Sequence, residues 1–252
     1  MLVAYFDASR TGKGRPYVTV AGCLAHLDQW KLFQPEWQRM LDEEGLRFFH
    51  MTDFEAYEGA YKEWSRKRHE TCLQKIADVI VPRTKFAFAR GVADDDFDFA
   101  KTQNEVLQPW SAFTYCASQC LHGIAHSASN HGHEGPIIYV FESGDGFKGE
   151  LLSLAESIEN SKERRMRYRW NGLHILPKIA NDPPYPLTPL QAADIWAFEA
   201  RKEWENKYAV GERTHPLRRS VRMLLEGTGV EHDFGFSPRE NLVNLEPYWL
   251  TS

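Results

Sequence analysis

The chain has 252 residues, 42% hydrophobic and 13% aromatic, enough to bury a sizeable core in one large domain or two small ones. A net charge of −5 excludes a globally basic nucleic-acid binder, so any nucleic acid must meet a local basic patch. No apolar run reaches membrane-spanning length, no signal peptide precedes the first strand, and the four cysteines show neither CxxC spacing nor disulfide density. These features predict a cytoplasmic protein without a membrane partner.

Leu2–Ser9, LVAYFDAS, reads as a strand buried on both faces. Alternation sets Val3, Tyr5 and Asp7 on one face and Leu2, Ala4 and Phe6 on the other. A polar turn leads to a second strand, Tyr17–Ala25, as a hairpin partner. Leu27–Glu44 has helical spacing of Trp30, Phe33, Trp37, Met40 and Leu41, and Gly45 closes it. Phe48–Asp53 reads as a short extended piece, Tyr61–Val81 as a helix and Lys85–Ala93 as a strand. The acids Asp94, Asp95, Asp96 and Asp98 then fit a solvated helix start, with a metal role as the alternative. Pro109–Ala128 is a helix, Ile137–Glu142 a strand, Gly149–Ser161 a helix and Gly172–Ala180 a strand marked as an edge by Pro177. Thr188–Tyr208 and Pro216–Glu226 are helices, and a loop-rich tail ends the sequence. This order predicts an α/β fold, a mixed sheet with helices on its faces. The whole chain reads as one domain, with a helical insertion at about 27–82 and a helical C-terminal extension at about 209–252.

Three acids stand at the ends of apolar segments or on an apolar stripe. Asp7 and Glu142 each follow five apolar residues at the carboxyl end of a strand, where crevices of such sheets form. Asp194 lies in the second turn of its helix, whose start, Thr188-Pro189-Leu190-Gln191, has capping-box spacing. A buried carboxylate must be paired, metal-bound or protonated. Asp194 alone would suit a structural salt bridge. The three together suit a hard divalent cation, Mg²⁺ or Mn²⁺, with waters completing the shell. Two such ions can clamp both oxygens of a phosphodiester displacement.

The segments FDAS, HMTDF, VFES and PLQAADIWA, at Tyr5–Ser9, His50–Phe54, Ile138–Ser143 and Pro189–Trp196, resemble the bacterial family known as domain of unknown function 3800. Where that family commonly reads Asp-Glu-Ser-Gly, this chain has Asp7-Ala8-Ser9-Arg10, and it has Glu142 where Asp is also common. The resemblance implies a ribonuclease-H-like fold and places Ser9, His50, Asp53 and Gln191 at the rim of the acid site. His50 then has two readings, a proton or phosphate contact or a histidine bonded to backbone.

Lys162–Trp170, KERRMRYRW, is the best basic patch, with Arg164, Arg165, Arg167 and Arg169 as candidate nucleic-acid contacts beside Tyr168 and Trp170. Strand–helix alternation places it at the amino ends of strands, away from the acids. Arg213, Arg218, Arg219 and Arg222 form a second basic group. His122, His126, His131 and His133 lack the Glu of a zinc-protease helix and read as a helix end and loop. The sequence thus predicts a metal-dependent nuclease acting through Asp7, Glu142 and Asp194 on RNA or DNA. The alternative is a non-catalytic nucleic-acid- or protein-binding member of the same fold, of the kind found in mobile-element or defence systems.

Overall fold

The computed structural model describes residues 1–10, 16–143, 147–177, 188–208, 216, 218–226 and 231–246. In chain order the elements are β1 (Leu2–Arg10), β2 (Tyr17–His26), α1 (Leu27–Glu44), α2 (Met51–Ala56), α3 (Arg66–Arg83), β3 (Phe86–Ala93) and α4 (Asp94–Gln103). Then come α5 (Ala112–Asn130), β4 (Ile137–Ser143), α6 (Lys148–Glu159), α7 (Lys162–Arg167), β5 (Trp170–Pro177), α8 (Thr188–Tyr208), α9 (Arg219–Glu226), β6 (Glu231–Phe236) and α10 (Arg239–Val243).

Local chemistry sets several boundaries. Gly45 closes α1 at φ 68°, a left-handed conformation that glycine adopts without a Cβ penalty. Ser65 caps α3 by accepting from the Arg68 amide, and Ser111 with Thr114 forms a complete capping box on α5.

The six strands lie in the order β5-β4-β1-β2-β3-β6. β2 runs antiparallel to β1 and β3, whereas β4 is parallel to β1 and to β5, and β6 is parallel to β3. One face carries Val3, Ala21, Cys23, Val140 and the apolar sides of α1, α3 and α8. The other carries Leu2, Ala4, Phe6, Tyr139 and the apolar sides of α4, α5 and α6. The alternation read from β1 is therefore observed.

α8 crosses β1 and β2 on the first face. It approaches closely because both surfaces are small there: Ala21, Cys23, Ala87 and Ala89 below, Ala192, Ala197 and Ala200 above. Gly91 continues that floor, and a Cβ there would lie 2.4 Å from Trp204 Nε1, so the indole needs the glycine.

Two expectations are corrected, and the basic segment Lys162–Arg167 is a short helix capped by Ser161. Met51–Ala56 is a short helix, where an extended piece was expected, with His50 as its extended N-cap. The C-terminal extension is not purely helical, because β6 joins the sheet beside β3. Within residues 27–83, α1, α2 and α3 cover the same face as α8. Among the described residues no helix is long and apolar enough to cross a membrane.

Candidate functional site

The site begins with the register of β1 and β4. The parallel ladder ends where Phe6 pairs with Phe141, and Asp7 and Glu142 are the next residues of the two strands. Neighbouring strands lie about 4.8 Å apart. Both carboxylates share the face of Tyr5 and Val140, which is the face of α8. Tyr5, Asp7, Ser9 and Glu142 are all half-buried, so this end of β1 is open while its start is sealed. Asp7 Oδ1 also accepts from the Ala8 amide at 2.8 Å.

The second part is the junction between α8 and the segment 48–56. Gln191 Oε1 accepts from Trp37 Nε1 at 3.1 Å and from the Phe49 amide at 2.6 Å. Its side chain is thereby diverted from the expected capping box, and the buried Thr188 hydroxyl has no hydrogen-bond partner among the described residues. Asp194 Oδ2 accepts from the Met51 amide at 2.7 Å, at the first residue of α2. An anion is favoured there by the exposed N–H groups of the helix start. His50 Nδ1 lies 3.0 Å from Asp53 Oδ2, with both side chains about one-third exposed. Tyr61 packs underneath and accepts from the His50 amide at 3.4 Å. Burial pushes the Tyr61 phenol well above its usual range; the His50 amide works against this, and the charges of Cys72, Asp53 and Asp194 add to it. The HMTDF and LQAAD segments, read separately from the sequence, are thus hydrogen-bonded to each other.

Gln191→Ala would strand the donors of Trp37 and Phe49, both nearly fully buried. Each costs roughly 1–3 kcal/mol when left unpaired. A loss of about 2–4 kcal/mol in urea unfolding is expected, and an unchanged midpoint would show that the junction does not depend on this residue.

Asp194 reaches α2, and the three acids do not form a ready cage. Among the described residues no group of three or more His, Cys, Asp or Glu side chains is placed to hold a metal ion. The two strand carboxylates remain side by side on the face that α8 covers.

Sequence reasoning missed the polar residues farther along α8. Arg201 lies seven residues after Asp194, two turns and about 10.5 Å along the axis. Its Nε donates to Ser9 Oγ at 2.8 Å, and its guanidinium pairs with Glu205. Glu199 is fully buried and accepts from Arg218 Nε at 2.8 Å, while Arg218 also pairs with Glu55 of α2. Burial raises the Glu199 carboxyl above its usual range, and Arg218 offsets this in part. The spacing Asp194–Arg201 on one helix face was the available signal.

Arg164, Arg165, Arg167 and Arg169 lie at the other end of the sheet. Arg169 immediately precedes β5, and its carbonyl accepts from the Ile137 amide at 2.8 Å, at the start of β4. Arg164 is hydrogen-bonded to Ser157, and Arg169 Nη1 donates to Ser129 at 3.0 Å. Arg169 has φ 48°, a left-handed conformation costing a non-glycine residue about 1–2 kcal/mol.

The second basic group is not a patch, because Arg218 is held by Glu199 and Glu55 and Arg219 lies 3.1 Å from Glu70. Arg213 lies outside the described residues. The acids after β3 have structural partners, Asp94 with Arg10 and Asp96 with Arg239.

No family model and no curated protein matches the chain. Among solved structures it is similar to the Mn²⁺ complex of Bst-RNase HIII, at 13% identity over 90% of this chain with a TM-score of 0.38. It is also similar to the RNase HII of a PCNA complex from Archaeoglobus fulgidus, at 15% identity over 90% of this chain with a TM-score of 0.33. The chain covers 63% of the first protein's length and 87% of the second's. The arrangement at the candidate site is therefore described by its own side chains: a strand carboxylate pair, and beside it a helix carboxylate bound to a backbone amide.

Proposed function

We propose that the chain is a ribonuclease-H-like, divalent-metal-dependent nuclease, as its resemblance to domain of unknown function 3800 implies. The observation that supports this reading is the β1–β4 register, in which Asp7 and Glu142 directly follow the last paired residues, Phe6 and Phe141, on a partly open face. The donor set fits Mg²⁺ or Mn²⁺, which take one or two carboxylates and keep several waters. When bound, such an ion supplies Lewis acidity toward a phosphodiester.

In this reading Asp7 and Glu142 bind the cation, and Asp194 is the third carboxylate. Its Oδ2 is held by the Met51 amide, and its Oδ1 faces the cation. Arg201, fixed on Ser9, orients the backbone of a nucleic acid lying over the end of β1. His50 contacts a phosphate of the substrate, with Asp53 fixing its ring. The second reading, a non-catalytic binding protein of the same fold, is favoured by the engagement of Asp194 with α2.

The test uses purified protein with Mg²⁺ or Mn²⁺ and end-labelled single-stranded RNA, single-stranded DNA, duplexes and hybrids. Cleavage of at least one substrate, abolished by EDTA, is expected. No cleavage of any of them, with no Mn²⁺ binding by calorimetry, would leave the binding protein.

A further inference from the structure

At the amino end of the sheet, opposite the carboxylates, basic side chains gather from four parts of the chain. His26 ends β2 opposite Leu2. Lys85 precedes β3 and is tied by its amide to Leu24 at 2.9 Å. His131 and His133 follow α5, and Arg169 precedes β5. The rings of His26 and His133 meet edge to face with centroids 5.1 Å apart. Lys85 Nζ lies 3.4 Å from His133 Nε2, and the His131 ring lies 5.0 Å from that of Phe86. Among the described residues neither Lys85 nor Arg169 has an ion-pair partner. A chain with five more acids than bases has thus collected cations at one rim.

The groups facing the two imidazoles are nearly all of one sign. Around His26 they are Lys85, the Met1 amino group and the acid Asp28; around His133 they are Lys85, His26, His131 and Arg169. Burial first, then these cations, lower both histidines below their usual range, with Asp28 opposing at His26. A Lys ammonium donating to His133 Nε2 requires that imidazole to be neutral. An anion placed among these groups would favour the protonated rings. In sequence, Arg169 lies just beyond α7, which carries Arg164, Arg165 and Arg167. Cations contributed by separate segments suit a chain of phosphates better than a single compact anion.

We propose that this rim, formed by His26, Lys85, His133 and Arg169 and extended by α7, is a docking surface for a nucleic-acid phosphate backbone that tightens as its histidines take up protons. It rests on the nucleic-acid reading for the identity of the anion, and it needs neither metal nor cleavage. From Leu2 to Asp7 along β1 is about 17 Å, so the rim acts as a hold apart from the carboxylates.

The test measures binding of a labelled single-stranded oligonucleotide in EDTA, to the Asp7→Asn protein, between about pH 7.5 and pH 6. Affinity should rise about tenfold per pH unit for each proton taken up. His26→Gln with His133→Gln should flatten that dependence. Lys85→Ala and Arg169→Ala should each lower the salt slope by roughly 0.7. In parallel, NMR titration of the parent's imidazoles should show those of His26 and His133 moving to higher pH with the oligonucleotide present. An unchanged pH dependence in the histidine double variant would overturn the proposal, as would imidazole titrations that ignore saturating oligonucleotide. Binding to anionic phospholipid vesicles in place of the oligonucleotide would overturn it too, in favour of a membrane. Because no cleavage is measured, failure of the nuclease reading leaves these outcomes intact.

Discussion

Asp7→Asn and Glu142→Gln should each abolish Mn²⁺ binding and lower any cleavage by at least about a hundredfold, the usual consequence of removing one group that stabilises developing charge. Folding stability should stay within about 0.5 kcal/mol of the parent or rise. The reason is the register: two carboxylates side by side repel when no cation lies between them. Either amide removes that repulsion, the stability–function conflict expected at active sites. Asparagine at position 7 can still accept from the Ala8 amide. Asp194→Ala should behave differently, since it loses a charge-assisted bond to the Met51 amide, worth about 1.5–3 kcal/mol. Calorimetric Mn²⁺ titration and thermal melts of the three variants separate the roles. If Asp7→Asn kept the parent's Mn²⁺ affinity, the carboxylate pair would not be a metal site.

Arg218→Ala should destabilise the protein by about 3–5 kcal/mol, because it leaves Glu199 charged and buried without its partner. For a chain of this size that lowers the melting temperature by roughly 10 °C. The Ser220 hydroxyl also hydrogen-bonds the Glu199 carboxylate, but it carries no charge to replace the guanidinium. Arg218 stays charged because Glu199 and Glu55 outweigh the effect of its burial. The pH dependence follows from the raised Glu199 carboxyl. Its contribution favours the folded state below the ordinary value of 4.5 and is lost as pH rises through the raised value. The deficit of Arg218→Ala should therefore be small in acid and grow toward neutral pH. Adding Glu199→Gln should recover most of it at pH 7. Equal deficits at both pH values, or no recovery, would show that Arg218 acts through packing alone.

Much of the architecture was legible because it rests on local pattern. The five apolar residues before Asp7 and before Glu142 marked two core strands, and α8 runs over Thr188–Tyr208 as its spacing predicted. The segment His50–Phe54 was not legible as a helix. α2 has six residues, and Asp194, far along the chain, accepts from its first amide. β6 left a faint signal, with His232, Phe234 and Phe236 alternating with Asp233 and Gly235. Six residues of that kind do not stand out from a loop, and Arg90 on the neighbouring strand completes them by pairing with Asp233. The positions of Asp7 and Glu142 could be read because strand ends show in sequence. Where the Asp194 oxygens point could not, since that depends on which amide a different segment offers.

Because each β6 residue lies 145 residues beyond its β3 partner in sequence, the order of synthesis matters. A ribosome delivers β1, β2 and β3 early, and the outer edge of β3 then waits for a strand that emerges much later. Throughout that interval a row of unpaired N–H and C=O groups is available to any passing extended chain. Tail residues also seal the helix side, where Phe236 stacks on Tyr208 and Phe234 meets Trp196. A premature stop before Glu231 would therefore make a sticky polypeptide, with its carboxylate pair complete but its sheet open. Chaperone demand and inclusion-body formation, more than lost chemistry, would be the phenotype of such a truncation.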